Sequence, residues 1–77
     1  MSDFVVDASG HPVRMLIELQ QARCVVRVTE VQLDDGRRLV FTVHVPDARG
    51  KLKPYHSISI QASDVPAFQV ALRGFGR

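Results

Sequence analysis

The sequence predicts an α+β fold, mostly β: a curved antiparallel sheet of four to five strands followed by one short C-terminal helix. Three observations carry that expectation. Arg37–Val45 alternates with period two, Leu39, Phe41, Val43 and Val45 against Arg38, Thr42 and His44, with Val40 the exception. Asp34-Asp35-Gly36 joins this run to the valine-rich Ala22–Leu33, and glycine supplies the positive φ that a tight turn requires. The segment SDVPAFQVALRGFG then changes the period from two to that of a helix.

Taken in order, Phe4 to Asp7 can add one short strand, and Ala8-Ser9-Gly10-His11-Pro12 reads as a turn. Residues 13–20 are open to two readings. Val13, Met15, Ile17 and Leu19 alternate as in a strand, yet Met, Leu, Glu and Gln favour helix. In Ala22–Leu33, Cys24, Val26 and Val28 share a face opposite Arg23, Arg27 and Thr29. The apolar parity then switches to Val31 and Leu33, which predicts a bulge near Thr29–Glu30. Tyr55–Ala62 sets Ile58, Ile60 and Ala62 against Ser57, Ser59 and Gln61. In the helix, Ser63 or Asp64 caps, Pro66 fits the first turn and Gly74 stops it. Val65, Phe68 and Leu72 form the side expected to pack on the sheet. Phe41 and Phe68 are expected in the core, Phe75 beyond the helix, and His44 on an exposed strand position. Cys24 is expected as an inert, core-facing hydrophobe.

With 77 residues the chain forms one domain, residues 1–77, in which 1–11 is an N-terminal extension. So short a chain buries roughly 60–65% of the surface its unfolded form exposes. The single Cys24 excludes an internal disulfide, and the scattered His11, His44 and His56 match no zinc spacing. No cofactor or metal is expected, and a homodimer is the expected support. No apolar run approaches the roughly 18 residues of a membrane span. The start, MSDFVVDASG, lacks the basic stretch of a signal peptide, so a cytoplasmic location is expected. Catalytic motifs are absent from the sequence: no G-x-S-x-G, no phosphate-binding Walker loop and no paired carboxylates. An enzyme is not expected.

Charge is divided unevenly. Residues 1–35 carry three basic and six acidic side chains, a balance of −3, whereas residues 36–77 carry seven and two, a balance of +5. The run PDARGKLKP, residues 46–54, puts Arg49, Lys51 and Lys53 on one connection between apolar strands. Arg23, Arg27 and Arg38 fall on the polar faces of the two preceding strands and extend that charge. Such cations can neutralise successive phosphates and release their counterions. Tyr55, directly after the loop and in the polar parity, is the candidate platform for a stacked base. A solvated, merely solubilising face is the bland alternative for the same residues.

The order of these motifs resembles the transcriptional coactivator family named positive cofactor four, which has bacterial and phage members. The likeness covers about residues 15–72. Its most specific part is Asp47, Gly50, Lys53 and Pro54 followed by Ile58-Ser59-Ile60, and Arg27 falls where the family has an arginine after its V-x-V strand. The pattern departs at Ser57, Tyr55-His56, Thr42 and His44-Val45, and no helix tryptophan is present. The resemblance implies four antiparallel strands and one helix, a strand at residues 15–19, dimerisation, and binding of single-stranded DNA on the sheet and its loops.

The expected function is therefore a homodimeric protein that binds single-stranded DNA without sequence preference, in transcription or DNA maintenance. RNA and duplex DNA stay open, because phosphate contacts do not choose among them. The expected contacts are Arg23, Arg27, Arg38, Arg49, Lys51, Lys53 and Tyr55. The alternative is a protein-interaction module whose basic sheet face is only solvated.

Overall fold

The computed structural model describes residues 4–76. Five strands follow one another in space as in sequence: β1 (Val5–Val6), β2 (Pro12–Gln20), β3 (Val25–Leu33), β4 (Gly36–Pro46) and β5 (Leu52–Gln61). Every neighbouring pair is antiparallel. A 3-10 turn, Ala62–Asp64, leads into the one helix among the described residues, α1 (Val65–Phe75). The 13–20 segment is thus a strand, and the N-terminal extension adds β1 at its outer edge. Among the described residues no helix is long and apolar enough to cross a membrane.

Register sorts the side chains between two faces, since residues directly opposite in a sheet point the same way. Phe41 stands opposite Val28 on β3 and Ile58 on β5, and Val28 stands opposite Ile17 on β2. With Leu19, Val26, Leu39, Val43 and Ile60 these make an apolar face. Arg27, Thr42 and Ser57 align across the other face, beside Glu18, and Thr29, Val40 and Ser59 form the next row. Serine, threonine and charge predominate there, with Val31 and Val40 among them.

Two register shifts bend the outer strands. One lies between Met15 and Ile17, leaving Leu16 as the extra residue of β2 opposite Thr29 and Val28. The other lies between Val43 and His44, opposite His56 and Pro54, leaving Tyr55 as the extra residue of β5. The first corrects an expectation. The irregularity occurs at the predicted level of the sheet, but on β2 and not on β3, whose pairing with β4 runs unbroken from Val25 to Leu33. Parity does not switch in β3. A charged residue, Glu30, occupies the apolar-face position instead, and Val31 and Leu33 take the opposite side.

Glu30 tolerates that position because two guanidinium groups meet it. Arg14 Nη2 donates to its Oε1 at 2.6 Å, and Arg37 Nη1 donates to its Oε2 at 3.1 Å. Arg14, opposite Glu30 in register, also lies 4.9 Å from the centre of the Phe4 ring. The Arg14 hydrogen bond, with help from Arg37, holds the Glu30 carboxyl below its ordinary value against the opposing effect of burial.

The helix departs from its expected course. Gly74 lies inside it, and closure comes two residues later, where Gly76 N donates to Leu72 O at 2.9 Å. Phe75 therefore belongs to the helix. Packing on the sheet is limited: Phe68 meets Phe41 edge-on at 5.8 Å between ring centres, yet Phe68 is still 38% exposed, and no residue of α1 is buried. Cys24 lies outside β3, half-buried in the turn at residues 21–24. His44 is half-buried, with Nδ1 enclosed and without a hydrogen-bond partner, so the exposed position expected for it is also corrected.

Only Val25, Val28 and Glu30 are buried among the described residues, and all three belong to the central strand β3. The Cα radius of gyration is 14.1 Å. A compact domain of this length has about 11.5 Å. This is an open single-layer sheet.

The Glu30 pairing sets an acid limit on stability. A depressed carboxylate stabilises fully above its unfolded value of 4.5, and the contribution is lost as pH falls through the lower folded value. Glu30→Gln is expected to destabilise by about 2 kcal/mol at neutral pH, less than a fully buried pair because both arginines reach solvent. Urea unfolding across pH checks this: the gap between wild type and variant should close on acidification below that range.

Candidate functional site

The basic residues of the strands and their connections are spread over both ends of the sheet. Gln20 and His44 both stand opposite Val25, so the β2–β3 turn and the β4–β5 loop project from the same end. That end gathers Arg23, Arg49, Lys51, Lys53 and Tyr55. Arg27 lies two register rows inside the Val25 row, opposite Thr42, which in turn faces Ser57. Arg38 stands four residues from Thr42 along β4, about 14 Å toward the other end. It shares the polar face with Arg27 but lies outside the cluster. Arg23 is not on a strand: it sits in the turn that Gln21 N closes by donating to Cys24 O at 2.9 Å.

Ion pairs separate these cations into two groups. Arg27 is tied to Glu18 at 3.0 Å, Arg38 to Asp35 at 3.4 Å and Lys53 to Asp47 at 3.7 Å. Arg23, Arg49 and Lys51 have no carboxylate within ion-pair distance among the described residues, and all three are exposed. Lys53 stands opposite Val45, in the parity of the apolar face, so it lies at the border of the cluster. The free charge of this end is thus Arg23, Arg49 and Lys51.

The loop that carries two of them is a rigid turn. Asp47 Oδ1 accepts from the backbone N–H of Arg49 at 2.8 Å and of Lys51 at 3.0 Å. Asp47 N donates to Lys51 O, and Gly50 N to Asp47 O, both at 2.9 Å. Gly50 completes the turn at φ 80°, a value that disfavours any residue with a Cβ. Aspartate and glycine therefore make this loop.

The same chain contains its twin. Residues 7–11, Asp-Ala-Ser-Gly-His, repeat the pattern of residues 47–51, Asp-Ala-Arg-Gly-Lys. Asp7 Oδ1 accepts from Ser9 N and His11 N, both at 2.9 Å, Asp7 N donates to His11 O, and Gly10 takes φ 85°. Ser9 and His11 stand where Arg49 and Lys51 stand. The turn forms without cations, so Arg49 and Lys51 are not there for the turn. Sequence reading singled out both segments but missed their identity. The shared D-A-x-G spacing was the available signal.

Tyr55 follows on β5. As the extra residue of the bulge it has no residue opposite, and it is 77% exposed. Counting back from Ser59 and Ser57 keeps it in the polar parity, and the bulge brings Pro54 to the same side, opposite His44. Among the described residues no group of three His, Cys, Asp or Glu side chains can hold a metal ion.

Asp47→Ala is expected to cost about 1–2 kcal/mol, because the backbone N–H groups of Arg49 and Lys51 lose their carboxylate acceptor, and to speed amide hydrogen exchange at Arg49 and Lys51. Exchange at Ser9 and His11 in the twin loop should stay as it is and serves as the internal control. Comparison of the chain with protein-family models, with curated proteins and with solved structures finds no match in any of the three.

Proposed function

We propose that the chain binds single-stranded nucleic acid, DNA in the first place, without sequence preference. It does so as a homodimer in transcription or DNA maintenance. One observation carries the reading: Arg49 and Lys51 occupy positions that the twin loop fills with Ser9 and His11 without loss of the turn. Cations that the fold does not require, left unpaired beside Arg23, are free to meet an anion. Phosphates along a chain suit this spread of point charges, and each neutralised phosphate releases counterions. Arg27 extends the track onto the polar face at the expense of its pair with Glu18, and Arg38 would meet only a longer strand. Tyr55 offers a base-sized ring next to the cations, which favours unpaired bases over a duplex. The resemblance to positive cofactor four-like proteins points the same way, through Asp47, Gly50, Lys53 and Pro54.

The twin loop supplies its own test. Arg49→Ser with Lys51→His rewrites one loop as the other and should change unfolding stability by no more than about 0.5 kcal/mol. Fluorescence anisotropy with a labelled single strand, its duplex and an RNA of equal length should show the tightest binding to the DNA strand. At mildly alkaline pH, where the introduced imidazole is neutral, the double variant should bind more weakly. Its slope of log affinity against log salt should be shallower by about 1.4, two phosphate contacts at roughly 0.7 each. Unchanged affinity and slope would remove the loop from the site, and no binding of wild type to any of the three at low salt would overturn the reading. Tyr55→Ala should lose about 1–3 kcal/mol on the single strand while leaving the salt slope unchanged.

A further inference from the structure

The first turn of α1 stands off the sheet and leaves a cavity of about 290 Å³ beside it. Its walls are apolar where the elements meet: Leu16 from β2, Leu39 from β4, and Val65 and Pro66 from α1. Two local features shape it. Leu16 is the extra residue of the β2 bulge, and the 3-10 turn at Ala62–Asp64 separates β5 from the helix. None of the four apolar residues is buried, so sheet and helix surround a space that neither fills.

One side of the cavity is charged, with Glu30 and Arg37 in its lining. Glu30 has both oxygens engaged, Oε1 by Arg14 and Oε2 by Arg37. Two guanidinium groups against one carboxylate leave one positive charge in excess. Arg37 uses only Nη1 in that bond. Its Nε and Nη2 have no acceptor among the described residues, and its side chain is 63% exposed. Arg38 also borders the cavity, but its pair with Asp35 at 3.4 Å cancels its charge. An apolar chamber with a few polar groups that fix orientation is the composition of a small-molecule site, and such sites begin at roughly 300 Å³. The free edge of a guanidinium fits a carboxylate in particular. We propose that this cavity binds a small amphipathic carboxylate, its apolar chain between Leu16, Leu39 and Val65 and its head on Arg37. The site lies toward the opposite end of the sheet from Arg23, Arg49 and Lys51, and the inference does not rest on the nucleic-acid reading.

Octanoate, octanol and octylamine test it, since they carry one chain with a negative, a neutral and a positive head. Each is titrated into the full chain below its micelle-forming concentration and followed by methyl NMR. Octanoate should shift the signals of Leu16, Leu39 and Val65, and it should raise the unfolding midpoint, because a ligand of the folded state stabilises by mass action. Octanol should bind on the order of tenfold more weakly, the scale of a hydrogen bond to a charged group, and octylamine more weakly still. Hexanoate should lose roughly fourfold for each methylene removed. Arg37→Gln should bring octanoate down to the affinity of octanol and leave octanol as it is, which also shows that the variant keeps the cavity. Ala62→Leu enlarges a side chain of the wall and should remove both probes. Val70→Leu, outside the cavity, should change neither.

No saturable binding of octanoate to the wild type would overturn the inference. So would equal affinity for the three probes, or shifts spread over Ile17, Leu19 and Ile58, which would mean adsorption to the open apolar face. An Arg37→Gln variant that binds octanoate as tightly as the wild type would remove the carboxylate contact, and with it the ligand class.

Discussion

The structure depends on the central strand. β3 has a strand on each side from Val25 to Val31, and every enclosed residue described, Val25, Val28 and Glu30, belongs to it. One layer of sheet with one short helix has no second layer to close a core. The physical consequence appears at Glu30. A layer with little apolar cover can hold a carboxylate at a core-side position, provided that Arg14 and Arg37 satisfy both oxygens while remaining partly exposed themselves. Removing either arginine would leave one oxygen of a buried carboxylate without its hydrogen bond.

That constraint also explains which parts of the fold were legible in the sequence. Strand β4 was legible because Leu39, Phe41 and Val43 alternate with Arg38 and Thr42, and half-burial produces that alternation. The turn at Asp34-Asp35-Gly36 was legible through Gly36, which takes φ 134° while both aspartates keep negative φ. The bulge was placed on the wrong strand because hydrophobic parity assumes that core-side positions are apolar. Glu30 breaks that assumption, and only its arginine partners, 16 residues before and 7 after, restore the sense. Gly74 was read as the helix stop, yet the end of α1 meets nothing, so the local preference of glycine was not decisive and the chain continued to Gly76.

The candidate site was legible as a list of residues but not as an arrangement. Arg23, Arg27 and Arg38 look equivalent in sequence. Ion pairing distinguishes them, since Glu18 and Asp35 hold the second and third and, among the described residues, no carboxylate pairs with the first. Lys53 looks like the natural continuation of Arg49 and Lys51. Its pair with Asp47 and its place opposite Val45 set it apart. Register and charge neutralisation decide these matters, and neither can be counted along the chain.

Charge and exposed apolar area lie on different parts of one layer. Among the described residues the Arg23–Lys51 end holds cations without a carboxylate partner, and the apolar face and α1 hold exposed hydrophobic area. A phosphate chain at the basic end would gain little from Ile17 or Leu72. The twin loops make the same separation within five residues: aspartate and glycine build the turn, and the two positions between and after them are left for charge. Function is written into this chain where the backbone makes no demand on the side chain.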